Sequence, residues 1–242
     1  MNNQSGKQHS LGQSRIKQKL TLIQLADSFF PSGTYTLSHG LEFLIQQERI
    51  QHPGEITSFV QVLLHHKIAT CDLVALIHTY NASAANNIEK IKQIAAQLHA
   101  QTLIETTRKT QIQSGRALLT VARSTWKHSQ LKVLERDRAL HQFYCLHPIV
   151  FGVVGKVADL NAADTALAFL HGFVTGVLSA AIRLGSLGHL QAQEILLQLS
   201  PDIETAFHTA STMDLADMWS CTPTIDLAQM SHTQLSSKQF AS

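Results

Sequence analysis

Apolar residues return at helical spacing along almost the whole chain, and nowhere do they alternate over a run long enough to make a strand. Ile56, Phe59, Val60, Leu63 and Leu64 keep an i, i+3, i+4, i+7 rhythm, as do Leu73, Leu76, Ile77 and Tyr80, then Ile88, Ile91, Ala95 and Leu98. The rhythm resumes through Leu118, Val121 and Ala122, through Ile149 to Val157, and from Ile195 to Ala210; residues 81–87, rich in asparagine and small side chains, read as a loop, and 126–146 as a less regular, locally basic connection. All five prolines, Pro31, Pro53, Pro148, Pro201 and Pro223, fall at gaps in these patterns, where a residue without an amide donor does least harm. Ser200-Pro201-Asp202 reads as a helix start, with serine as cap, proline in the first helical position and a carboxylate facing the amide-rich end. The pattern predicts an all-α, single-domain bundle of about eight to ten helices.

At 242 residues the chain is long enough to bury a core without disulfides. Its three cysteines, Cys71, Cys145 and Cys221, are odd in number and far apart, which fits reduced thiols in the cytoplasm. A net charge of +2, with 15% charged residues, gives no basic footprint for nucleic acid and leaves room for surface covered by partners. Residues 1–19 are polar, carry no secretory signal and read as a disordered tail; residues 20–223 form the helical domain. In residues 224–242, Ile225, Leu227, Met230, Leu235 and Phe240 are scattered among Ser, Thr and Gln. Such a segment is flexible alone or ordered against another protein. Ala166–Ile182 is apolar enough to suggest a membrane span, but it is short and carries His171, Thr175 and Ser179, so it is expected to be a buried helix. Gly172 and Gly176 on it would let a neighbouring backbone approach in the core or a dimer interface.

The densest local signal lies between Leu22 and Glu42, where two amphipathic segments flank Pro31-Ser-Gly33. Proline ends the first helix, glycine opens backbone conformations closed to other residues, and Tyr35, His39 and Glu42 supply more polar chemistry than a plain connector needs. No P-loop, dinucleotide fingerprint, nucleophile elbow or HExxH motif occurs anywhere, so neither a catalytic site nor a cofactor is expected. Among the histidines, His65-His66 and His141-x3-Cys145-x-His147 offer the best metal spacings, and neither matches a strong structural pattern. Arg116 and Arg183 are lone charges ending small or apolar runs, suited either to helix-end carbonyls or to an interface.

In order, Leu25-Ala-Asp-Ser-Phe-Phe-Pro31-Ser-Gly33, Ser38-His-Gly40-Leu-Glu42, Asp72-Leu, Gly115-Arg116, His147-Pro148-x-x-Phe151-Gly152, Ser179-Ala-Ala-x-Arg183-Leu, Leu187-Gly188 and Ile225-Asp226 resemble the urease accessory protein UreF family. The resemblance implies an all-α homodimer without a cofactor, acting as a scaffold that joins the UreD (UreH) accessory protein and the GTPase UreG to apo-urease for nickel insertion. A role in modulating GTP hydrolysis by UreG also follows from it. It places partner contacts on the surface around the turn, with Pro31, Gly33, Tyr35, His39 and Glu42, and on the tail, with Lys238 and Phe240; Arg116 and Arg183 join them on the interface reading of their position. Three positions depart from the family pattern: His39 and His189 stand where glutamine is usual, and Lys238 where arginine is. A nickel-carrying metallochaperone using its histidines, His141 and His147 first, is the alternative from a different functional class.

Overall fold

A computed structural model describes residues 3–27, 29–30 and 36–241, with the backbone course alone for residues 3–14. Among the described residues there is no strand, and twelve α-helical segments occur. Two of these are joined through a π-helical stretch, so the chain forms eleven helices: α1 (Asn3–Ala26), α2 (Leu41–Gln46), α3 (Pro53–Ala84), α4 (Ile88–Gln101), α5 (Glu105–Thr125), α6 (Ser129–Ala139), α7 (His147–Val157), α8 (Ala162–Arg183), α9 (His189–Gln198), α10 (Ser200–Thr212) and α11 (Pro223–Ser231). The all-α single domain is as the periodicity predicts.

The central helix is α3. The Glu55 carboxylate reaches back to the amides of Gln51 and His52, at 2.7 and 3.0 Å, and closes its N-terminal turn. Its middle, Leu64–Asp72, winds as a π-helix, a form that is rare and found mostly at functional positions. The second half of α3 lies against α7 and the π stretch against α10. α7 crosses its neighbours on glycines. A Cβ on Gly152 would stand 2.6 Å from the Leu76 carbonyl oxygen, and one on Gly155 would overlap the Thr165 side chain. On α5, Gly115 abuts the Cys145 carbonyl in the same way. Backbone thus meets backbone at Gly152 and at Gly115, and backbone meets side chain at Gly155; the Leu, Ile and Val residues named from periodicity fill the space around them, with Ile56, Leu63, Leu73, Leu76, Ile91, Leu98 and Leu118 all fully buried.

Four expectations change. The stretch from 126 to 146, read as irregular, contains α6, whose Leu131, Leu134 and Asp137 are buried, the carboxylate of Asp137 paired with Lys92 and Arg136. The loop expected at 81–87 narrows to a turn after Ala84, with Asn87 capping α4. α1 runs back through the polar stretch assigned to a tail, and Gln18 on it donates to the Asp159 carbonyl at 3.0 Å. Finally, α3 joins α8 as a second helix long and apolar enough to cross a membrane; His65-His66-Lys67 had divided it into two runs. Of their most apolar windows, 67% and 56% are buried inside the fold, as in interior helices.

Candidate functional site

Ser38-His39-Gly40-Leu41-Glu42 sits against the C-terminal segment. His39 and Gly40 both take left-handed backbone, at φ 54° and 88°, and so turn the chain into α2. Gly40 needs its missing Cβ twice over, for the dihedral and because a Cβ would stand 3.2 Å from Gln229 and 3.3 Å from Ala228 on α11. Glu42, two residues on, is 0% exposed. Its carboxylate meets the His232 Nε2 at 2.7 Å and accepts the backbone amides of Gln239 at 2.6 Å and Phe240 at 3.2 Å. A bare carboxylate buried this deeply would be strongly unfavourable, and every group that compensates it comes from the last stretch of the chain.

That stretch is therefore a strap folded onto its own domain. Ala241 donates to the Thr36 carbonyl at 2.9 Å, Gln46 Nε2 to the Ser237 carbonyl at 3.3 Å, and Lys238 Nζ to the Thr233 carbonyl at 2.8 Å. Phe240, 5% exposed, lies beneath Arg183, whose guanidinium carbon is 4.1 Å from the ring centre. The fold thus joins three of the nominated residues, Glu42, Arg183 and Phe240, in one clasp. Two of them face inward where a partner surface was expected. What the strap presents outward is the apolar edge of α11, with Leu227 64% and Met230 57% exposed.

Beside the clasp lies a cavity of 360 Å³, walled by Phe151, Phe169 and Phe173 and by the polar groups of His39, Lys67, Asp72, Gln111, His147 and Gln229. The π-helix makes its charged pair. Residues five apart come into register on a π turn, and Lys67 Nζ lies 2.6 Å from Asp72 Oδ2. Burial opposes the Lys67 charge, yet Asp72 beside it holds its pKa above the ordinary lysine value. Burial lowers His39 to about 4, with the Lys67 charge adding to the effect, and lowers His147 to about 4 as well. Both imidazoles are therefore uncharged at neutral pH.

The remaining nominated residues are spread more widely. Pro31, Gly33 and Tyr35 lie outside the described residues. Arg116 is exposed on α5 and His189 opens α9. Gly172 and Gly176 line the cavity, and among the described residues a Cβ on either would meet nothing within 4 Å, so the close approach expected there is not made by any of them. His141 stands exposed on a turn at φ 57°, whereas His147 is buried, and burial pushes the Cys145 thiol up to about 12. Among the described residues, no three His, Cys, Asp or Glu side chains gather as metal ligands would.

His232, Gln229, Gln111 and the Lys67–Asp72 pair were not singled out as site residues by the sequence reading. A spacing of five signals nothing on an α-helix, and His232 is one polar residue in a polar tail.

A family model described as UreF matches residues 50–200. The urease accessory protein UreF of Trichodesmium erythraeum is 53% identical over 228 residues, covering 94% of this chain and 98% of that protein. The proteins of the same description from Bradyrhizobium sp. and Nostoc sp. are 27% identical over 219 residues and 28% over 225, with 88% and 92% of this chain covered and 87% and 95% of theirs.

Proposed function

Since the chain belongs to the urease accessory protein UreF family, we propose that it serves urease maturation as a non-catalytic scaffold, joining the UreD (UreH) accessory protein and the GTPase UreG to apo-urease for nickel insertion. The observation that carries this reading at the level of residues is the strap: a C-terminal segment clasped at Glu42, with an apolar outer edge available to another protein. The strap docks a partner through Leu227 and Met230, while Glu42, Arg183 and Phe240 hold it in the docking position. The Pro31–Tyr35 turn belongs to the same contact region, and the scaffold acts as a cytoplasmic homodimer.

Co-purification with the UreD and UreG homologues of the same organism tests the scaffold. Leu227→Asp with Met230→Asp should abolish capture of UreD while the circular dichroism spectrum stays unchanged. Capture retained at wild-type level would overturn the docking role of the strap. For UreG, turnover of GTP in the assembled complex should fall with Arg116→Ala if this exposed cation stabilises or positions the nucleotide machinery, and an unchanged rate removes Arg116 from it.

A further inference from the structure

Among the described residues, three buried polar atoms without a hydrogen-bond partner belong to side chains lining the same cavity: His147 Nε2, Gln111 Oε1 and Gln229 Nε2. His147 is 9% exposed and Gln229 2%. Their other atoms are committed. Gln111 Nε2 donates to Asp72 Oδ1 at 3.1 Å, and the Thr107 hydroxyl donates to Gln229 Oε1. These bonds set the orientation of both amides, so Gln111 offers the cavity an acceptor and Gln229 offers it a donor. Leaving such atoms bare costs about 1–3 kcal/mol each, so native interiors seldom do it without an occupant.

We propose that this cavity binds a small uncharged molecule with a flat apolar body and an amide-like donor and acceptor, held between Gln111 and Gln229. The flat body is matched by the aromatic wall, where Phe151 and Phe169 meet edge to face at 5.5 Å and His147 stacks on Phe169 at 5.8 Å. Neutrality follows from the charges. Lys67 and Asp72 neutralise each other, Asp27 is exposed and already accepts the Phe29 amide at 2.8 Å, and both imidazoles are neutral. An ion entering would lose its hydration without gaining a counter-charge. The volume of 360 Å³ lies within the ~300–1,000 Å³ range of small-molecule sites and far above what a single water occupies. Because α11 supplies Gln229, an occupied cavity also steadies the strap. The inference does not depend on which partner proteins the scaffold holds.

Benzamide, benzoate and benzamidinium share one shape and differ in charge, so they serve as probes of the full chain at neutral pH, read by ligand-observed NMR titration. Benzamide should bind at least tenfold more tightly than either ion. Gln229→Leu should weaken it at least fivefold, and Gly176→Leu, which grows into the cavity from a position where a Cβ meets nothing, should block it while the fold is kept. No benzamide binding at millimolar concentration would mean the cavity holds water only and overturn the proposal. Equal binding of an ion, or binding indifferent to Gly176→Leu, would overturn it too.

Discussion

At the scale of single residues, Glu42 is the side chain on which the C-terminal strap depends. Its three donors are charge-assisted or fully desolvated, and removing one member of such a buried set costs about 3–5 kcal/mol. Glu42→Ala should lower the urea-unfolding free energy by about that amount and release the Gln239 and Phe240 amides to rapid hydrogen exchange; Glu42→Gln should do less, because the shape remains.

The two cavity histidines set an acid limit. Each titrates from 6.5 in the unfolded chain to about 4 in the fold, so between those values the unfolded state binds more protons. Stability is therefore full above about pH 6.5 and falls as pH drops toward 4, by an amount on the order of a few kcal/mol for the pair. His39→Gln, which installs the amide side chain usual in the family, should flatten roughly half of that acid limb in a denaturation series across pH. Sequence alone marked Glu42 and His39 as over-equipped for a turn. It could not assign the partner of Glu42, because His232 lies 190 positions away in a stretch without periodicity.

At the scale of helices, two kinds of glycine separate. Gly152→Ala forces a Cβ against the Leu76 carbonyl, between two core helices that cannot part without opening both, and should cost about 1–3 kcal/mol in a thermal or chemical melt. Gly172→Ala extends into open space within a long helix and should stabilise the isolated chain by up to about 1 kcal/mol. If the α8 face joins two copies, Gly172→Leu should lower the dimer fraction by sedimentation with no loss of monomer stability. The sequence pointed to the pair spaced by four, because that spacing has a known association with close packing. The glycines that do touch a neighbouring backbone carry no such signature, since which backbone comes near is a property of the whole arrangement. Helix positions were legible for the converse reason: burial of one face writes a period into the residues. α6 escaped because a mostly charged helix burying only a few side chains writes that period faintly.

At the scale of the molecule, the strap is part of the domain, with Ile225, Ala228, His232 and Phe240 all buried. Deleting residues 224–242 should therefore do more than remove a docking segment. It uncovers one cavity wall and strips Glu42 of its donors, and a loss of at least ~3 kcal/mol corresponds to a fall of about 6–12 °C in Tm for a chain of this size. A calorimetric scan of the truncated chain checks this, and an unchanged Tm would show that the clasp contributes little. The tail's composition predicted a segment flexible alone or ordered against another protein, and it packs on its own domain. What composition cannot reveal is that the surface it needs is supplied by the same chain.

The clasp also bears on the order in which the protein is made. Glu42 is made 190 or more residues before the groups that answer its charge. Until residues 232–240 have left the ribosome, the α2 region can close only by burying an unanswered carboxylate or by keeping it in water. A prematurely ended chain is held in the same unfinished state and stays open to proteolysis. Closure of the α2 region thus waits on one imidazole and two amides from the far side of the sequence.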